Sequence, residues 1–170
     1  CAAERRGGEA EDATTPLHAD TPADVAAREL LLRHFRAMRR EELRVLTNGS
    51  TAAVHAVRVA CRRGRATLRH FAGCQPPEQE DLLRKTFVAT ARACADLREL
   101  DVLLDDLKVD REALPDVLLD DARAIRRHLA HARARLMRDA RAALARPGRQ
   151  ARVERAEQIL TTRRAGPCET

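Results

Sequence analysis

The sequence predicts an all-α protein, an antiparallel helical bundle of four to five helices. Hydrophobic residues make up 44% of the chain, but aromatic residues make up only 2%. Because β-sheets favour aromatic and β-branched side chains, this composition favours helices and excludes an all-β fold. Leucines also recur at helical spacing between segments that contain Gly or Pro. With 170 residues, the chain has the size of one domain that can bury a core without disulfide bonds.

The N-terminal segment differs from the rest of the chain. Residues 1–20 mix Gly, Pro, Thr and acidic residues without periodicity, so we expect a disordered leader or linker there. The helical bundle is expected over residues 21–165. Since the chain begins with Cys1 rather than Met, it is expected to be a segment or a processed form of a longer protein.

Capping residues predict where the first helices begin and end. Thr21 and Pro22 are predicted to open the first helix, with a capping hydroxyl and a proline in the first turn. Asn48 and Gly49 form a stop signal, after which Ser50 caps the second helix. Leucine spacing and proline positions predict three more helices, at Glu78–Leu107, Pro115–Leu144 and Gln150–Arg163.

The charged residues indicate an anionic partner. The net charge is +6, and of 32 Lys and Arg residues only Lys85 and Lys108 are lysines, which leaves 30 arginines. The planar guanidinium group binds phosphate in a bidentate manner, so the arginine content favours a phosphate-rich ligand. High genomic GC content, which raises arginine usage without a functional cause, is the alternative explanation.

The cysteines and the hydropathy pattern indicate in which cellular compartment the protein is expected. Five cysteines are widely spaced without a CxxC pair, which favours a reducing compartment over a disulfide framework and predicts no metal site. No apolar stretch approaches the roughly 20 residues of a membrane span, and the N-terminus lacks the apolar core of a signal peptide. We therefore expect a soluble, cytoplasmic protein.

One face of the second predicted helix carries a basic stripe. At about 100° per residue, five side chains fall within an arc of roughly 80° and extend over about 21 Å. They are His55, Arg58, Arg62, Arg65 and Arg69. The adjoining arc is apolar and is expected to face the core. Gly64 in this arc either allows another helix to approach closely or occurs there by chance. This arc contains Val54, Val57, Cys61, Gly64, Leu68 and Phe71.

The basic stripe has no acidic residues beside it in the sequence. No Asp or Glu occurs between Thr51 and Pro77, although like charges three or four residues apart repel by about 0.2–0.5 kcal/mol per pair. A polyanion would offset this repulsion, since cations about 5–6 Å apart can follow successive phosphates of a linear chain. Alternatively, Asp101 and Asp105 on a neighbouring helix neutralise the stripe. His55 either has a structural role or donates a hydrogen bond to the anion.

Two segments resemble the CHAD family, the conserved-histidine α-helical domain. VHAVRVACRRGRATLRHF resembles the family signature, in which a His is followed three residues later by an Arg and then by paired and spaced arginines. LRELDVLLDDL resembles the family's Arg-Asp-Leu-Asp-Val segment, with Arg98 and Asp101 in place. Glu99 replaces the usual Asp and Ala95 the usual Gly, so this second match is weaker.

The resemblance implies an all-helical protein that binds inorganic polyphosphate and associates with polyphosphate or storage granules. Carried over by position, the implied binding residues are His55, Arg58, Arg62, Arg63, Arg65, Arg69 and Arg98. Arg63 lies off the basic stripe, so its assignment comes from the resemblance alone. Asp101 is expected to orient an arginine. No cofactor, metal site or catalytic residue is implied.

One departure from the family is large. The family domain is an internal duplication with a second His-and-Arg helix, but His128, His131, Arg133 and Arg135 do not reproduce that spacing. The resemblance therefore covers only the first repeat. Either the chain is a truncated domain, or a homodimer completes the basic cleft.

Three other functions remain open from the sequence. Arginine-phosphate contacts would also give non-specific nucleic-acid binding, although few aromatic residues are available to stack on bases. A purely structural helical scaffold is the second alternative. The third is a Mg²⁺-dependent phosphohydrolase that uses Asp101, Asp105 and Asp106. No nucleophile or base accompanies these aspartates, so we expect the protein not to be an enzyme.

Overall fold

A computed structural model describes residues 17–110 and 115–162. This part contains six α-helices: α1 (Ala23–Thr47), α2 (Thr51–His70), α3 (Pro77–Ala93), α4 (Ala95–Asp110), α5 (Leu119–Leu144) and α6 (Pro147–Thr161). A short 3₁₀ turn, Asp116–Leu118, precedes α5. The described residues form no strand, which confirms the all-α prediction. The expected leader lies outside the described residues over positions 1–16.

The helix predicted over Glu78–Leu107 is wrong in one respect, because the chain breaks there into α3 and α4. Cys94 lies at the break with φ −109° and ψ 8°, and its N–H donates to the Ala91 carbonyl at 3.3 Å. Neither Gly nor Pro marks this position. Cys94 and Leu97 are both buried, as are Leu83 and Phe87 of α3, so the segments on both sides of the break contribute to the core. This extra break raises the helix count above the predicted four to five.

The helix ends follow capping chemistry with two differences. The Ser50 hydroxyl accepts from the Ala53 N–H at 3.2 Å, as predicted for α2. Thr21 does not cap α1, since its Oγ1 instead accepts from the His18 N–H at 2.9 Å and Pro22 is the N-cap residue. The last helix begins at Pro147 rather than near Gln150, because proline is well suited to the first helical position.

The hydrophobic core is shared by all the longer helices. α1 packs along α2, α2 packs against α3, α5 packs against α4, and α6 packs against α3 and α1. Phe35 of α1 meets Phe87 of α3 edge to face, with ring centroids 6.4 Å apart and planes at 70°. No helix in the described residues is long and apolar enough to cross a membrane.

A buried ion pair joins the first and last helices. Arg149 Nη1 and Nη2 donate to the two carboxylate oxygens of Glu42 at 2.7 and 2.8 Å. Arg149 also donates to Thr90 Oγ1 at 2.9 Å and to the Leu144 carbonyl at 2.8 Å. These bonds connect α1, α3, α5 and α6 through one guanidinium group, so they fix the position of α3 relative to the outer helices.

A second buried ion pair holds α4 on α5. Arg133 Nε donates to Asp101 Oδ1 at 2.6 Å, and Arg133 Nη2 donates to the Gly49 carbonyl at 3.1 Å. Asp101 is fully buried, whereas Arg133 is partly exposed. The arginine thereby ties α4 and α5 to the turn that precedes α2. Asp101 does orient an arginine, but that arginine lies on α5 and not on the basic stripe.

Candidate functional site

The α2 helix separates its apolar and basic faces as its sequence predicts. The apolar arc enters the core, where Val54, Val57, Cys61, Gly64 and Leu68 are buried. Phe71 is the exception, since it forms the C-cap of α2 and is only half-buried. On the other face, Arg62, Arg65 and Arg69 are exposed. The division leaves cationic groups along the edge of the core, where a neighbouring helix can form a wall beside them.

A basic cleft, here called the α2 cleft, lies between α2, α3 and α4. Its volume is about 600 Å³. Six titratable basic side chains line it: His55, Arg58, Arg62, Arg65, Arg92 and Arg98. None of the described residues in the lining is acidic, and the floor contains small apolar side chains such as Val59 and Ala91. The cleft therefore concentrates positive charge in a concave surface, where solvent screens charges less than on a convex one.

The break between α3 and α4 brings arginines from two helices into the α2 cleft. Arg92 lies in the last turn of α3, and Arg98 lies in the first turns of α4. Arg58 Nη1 donates to the Ala91 carbonyl at 3.1 Å, so this α2 arginine also satisfies a carbonyl at the end of α3. Arg58 thus has a structural bond, whereas the side chains of Arg62, Arg65, Arg92 and Arg98 form no hydrogen bond or ion pair within the described residues.

The charge of the α2 cleft is not neutralised within the described part of the chain. No carboxylate in residues 17–110 or 115–162 forms an ion pair with Arg62, Arg65, Arg92 or Arg98. Asp101, one of the two aspartates proposed to neutralise the stripe, instead pairs with Arg133 in the interior. Asp101 is therefore not an ion-pair partner of the basic stripe.

The structure places the seven predicted binding residues in two groups. Five of them line the α2 cleft: His55, Arg58, Arg62, Arg65 and Arg98. Arg69 is exposed near the end of α2 and does not line the cleft. Arg63 also lies outside it, on the side of α2 from which its charge acts on the half-buried His34 of α1. Burial lowers the pKa of His34, and the charges of Arg63 and Arg33 lower this pKa further.

Arg92 is the cleft residue that the sequence analysis did not assign. It sits on α3, outside both segments that resemble the family, and the predicted continuous helix gave no reason to direct it toward α2. The only feature of the sequence that could have indicated a shared site with Arg98 was the position of Arg92, six residues before it. Only the break at Cys94 brings these two arginines to the same cleft.

The aspartates proposed for a magnesium site do not form one. Asp101 is committed to Arg133, and no group of three or more His, Cys, Asp or Glu side chains within the described residues could hold a metal ion. The described cysteines, Cys61, Cys74 and Cys94, are free thiols. Burial raises the pKa of Cys61 to about 12 and that of Cys94 to about 11, so neither is a ready thiolate nucleophile.

These features define, over the described residues, an all-helical fold in which arginines from three helices converge on one basic cleft. The family model for the CHAD domain matches residues 29–169, which is most of the chain, and the chain belongs to the CHAD domain family. The matched region contains all of the predicted binding residues and the whole α2 cleft. No curated protein and no solved structure matches the chain.

Proposed function

We propose that the chain binds inorganic polyphosphate in the α2 cleft and does not transform it. The observation that carries the proposal is the convergence of six basic side chains from three helices, with no acidic residue among the described lining. Membership of the CHAD domain family supports the same ligand. A linear chain of phosphates matches this site because each repeat carries negative charge and several acceptor oxygens.

The geometry supports binding along α2. From His55 to Arg65 the helix rises about 15 Å, so successive phosphates of one chain can contact successive turns. Arg62 and Arg65 supply guanidinium forks from α2, and Arg92 and Arg98 supply them from the opposite wall. The His55 imidazole stands at the other end of this row, where it can donate one hydrogen bond to a terminal or bridging phosphate.

We also propose that the chain has no catalytic role. Asp101 is the best candidate ligand for a catalytic cation, but it is buried against Arg133. Binding without turnover suits a protein that is retained at polyphosphate or storage granules in the cytoplasm.

We further propose that a second copy can face the first, since the sequence carries one His-and-Arg helix where the family domain carries two. Sedimentation that shows only monomer at high concentration, with and without polyphosphate, would remove the dimer.

Titration with long-chain polyphosphate tests the proposed function. The decisive variant is Arg62→Ala with Arg65→Ala, and its matched control is Arg63→Ala with Arg69→Ala. Both pairs remove two exposed charges from α2, but only the first pair lines the α2 cleft. A charge-assisted bond is worth about 1.5–3 kcal/mol and 1.4 kcal/mol is tenfold in affinity, so we expect the cleft variant to lose roughly 100-fold or more.

The control and competitor results distinguish the alternatives. We expect the control variant to bind within about threefold of the wild-type chain, because only long-range charge is lost. Equal loss in both variants would mean that a diffuse charge field binds the ligand and that the cleft does not. Displacement of polyphosphate by duplex DNA at equal phosphate concentration would favour the nucleic-acid alternative. If the folded wild-type chain binds no polyphosphate, the purely structural helical scaffold is the remaining interpretation.

A further inference from the structure

A second basic cleft, here called the α6 cleft, lies on the other side of α3. It has a volume of about 740 Å³ and is bounded by α3, the end of α5 and the first turns of α6. Its basic lining residues are Arg84, Lys85, Arg92, Arg146, Arg149 and Arg152. Among the described residues of this lining, none carries a carboxylate. It is larger than the α2 cleft and belongs to neither segment that resembles the family.

The basic side chains of the α6 cleft divide into those that pair with a carboxylate of the protein and those that do not. Arg149 is buried and its guanidinium is held by Glu42, so it is part of the framework. Arg84 and Lys85 both pair with Asp81, which is four residues or fewer away on the same helix. Arg92, Arg146 and Arg152 differ, because no carboxylate in the described ranges pairs with them. These three groups are available to an anion.

The two clefts share a boundary on α3. Arg92 and Val88 line both of them. These residues lie one turn apart, and Val88 is half-buried with a short side chain, so the boundary is a low ridge that carries a cation. From Arg92, the basic lining of the α6 cleft continues back along α3 to Arg84, a rise of about 12 Å. The cationic surface is therefore continuous from His55 on α2, over Arg92, to Arg152 on α6.

We propose that the α6 cleft is a second subsite for the same polyphosphate chain, entered over Arg92 from the α2 cleft. This inference rests on the proposed function. A short phosphate oligomer fills the α2 cleft alone, whereas a long chain crosses the ridge and also contacts Arg146 and Arg152. The protein then selects long chains, because the second set of contacts is made by a ligand that is already held and needs no separate association.

The test compares two ligands, tripolyphosphate and long-chain polyphosphate, at the same salt concentration. The variant is Arg146→Ala with Arg152→Ala, and the matched control is Arg138→Ala with Arg155→Ala. The control residues are exposed arginines of α5 and α6 that line neither cleft, so both double variants lower the net charge equally. Helicity and thermal unfolding of each variant are measured alongside binding. If the double variant is unstable, Arg146→Ala alone replaces it in the binding comparison.

The expected result is a loss that depends on ligand length. The α6 cleft variant binds tripolyphosphate within about twofold of wild type but binds long-chain polyphosphate at least about tenfold more weakly, while the control changes neither affinity. If the α6 cleft variant and the control bind the long chain equally, and Arg62→Ala with Arg65→Ala still weakens binding by roughly 100-fold or more, the second subsite is wrong and the proposed function stands. If the wild-type chain binds neither ligand, both proposals fail.

Discussion

The ring of Phe87 on α3 lies directly over the Cα of Gly64 on α2. A Cβ placed on Gly64 would lie 2.4 Å from Phe87 Cζ and 2.6 Å from Cε2. Phe87 is fully buried and also packs on Phe35, so its ring has no free space to move into. The glycine therefore permits the close approach of α2 to α3, the two helices that, with α4, border the α2 cleft.

Replacing Gly64 with alanine is expected to destabilise the protein. Overpacking a core costs about 1–3 kcal/mol, which exceeds the helix propensity of about 1 kcal/mol that alanine contributes. The matched control is Gly148→Ala in α6, where nothing lies within 4 Å of the added Cβ. We expect Gly148→Ala to stabilise by about 0.4–1 kcal/mol. Urea denaturation measures both, and equal stabilisation by the two changes would contradict the close contact at Gly64.

The buried pair of Glu42 and Arg149 is expected to dominate the stability of the helix packing. Glu42→Gln leaves the Arg149 charge buried without its carboxylate, which costs about 3–5 kcal/mol. Glu41→Gln is the neighbouring control. Glu41 is also buried, but both of its partners, Arg40 and Arg44, are exposed and stay solvated, so we expect a loss nearer the about 0–1 kcal/mol of a surface pair. The free energy of unfolding in urea distinguishes them. Similar small losses would mean that water reaches Arg149 in the folded protein.

The three described thiols are expected to differ in reactivity. The pKa of Cys61 is raised to about 12 and that of Cys94 to about 11, mainly by burial, whereas Cys74 is partly exposed. At pH 8, iodoacetamide should modify Cys74 in the native protein and leave Cys61 and Cys94 unmodified until urea is added. Peptide mapping by mass spectrometry measures this. Rapid modification of Cys94 without denaturant would show that the α3–α4 break opens to solvent.

The same two thiols predict how stability changes at high pH. An unfolded cysteine ionises near 9.0, but the buried thiols stay protonated to higher pH, so the unfolded chain binds fewer protons above pH 9. The free energy of unfolding should therefore decrease as the pH rises from 9 toward 11. Cys61→Ala with Cys94→Ala should reduce that pH dependence, even though the two cavities lower stability at every pH. An unchanged slope in the variant would contradict burial of the thiols.

His34 gives a test of where Arg63 lies. Burial lowers the pKa of His34 below 6.5, and the charge of Arg63 lowers it next. The unfolded chain then binds more protons than the folded chain below pH 6.5, so stability should decrease as the pH falls through that value. Arg63→Ala should raise the His34 pKa measured by NMR, whereas Arg69→Ala should leave it unchanged. If both variants leave it unchanged, Arg63 does not face α1.

The sequence predicts the fold well where capping residues mark the helices. Asn48, Gly49 and Ser50 locate the turn between α1 and α2 because their stop and capping functions are local. Close helix approach was one of two interpretations of Gly64, and the Phe87 contact agrees with it. The break at Cys94 leaves no such local mark, because a buried cysteine is compatible with a helix interior and leucines continue on both sides. Tertiary packing determines that break, so sequence periodicity alone describes one long helix.

The residues of the candidate site could likewise be predicted where they share one helix, but not where tertiary packing brings them together. His55, Arg58, Arg62 and Arg65 belong to one helix face, so their alignment follows from helical periodicity. Arg92 enters the α2 cleft from α3, and only the relative position of two helices shows this. Asp101 illustrates the reverse case, since it was a candidate to neutralise the basic stripe on α2 but its ion pair is with Arg133 on α5. Contacts between distant segments cannot be obtained from spacing along one helix.

The Glu42–Arg149 pair also has a consequence for the order in which the protein assembles. The two residues are 107 positions apart, so a chain growing from its N-terminus presents the Glu42 carboxylate long before Arg149 is made. Arg39 can meet Glu42 only from a partly exposed position. Closing α1 over a carboxylate without its buried partner is unfavourable, which keeps the nascent helices loosely packed. We therefore expect final docking of α1, α3 and α6 to follow synthesis of the last helix, as a late event in folding.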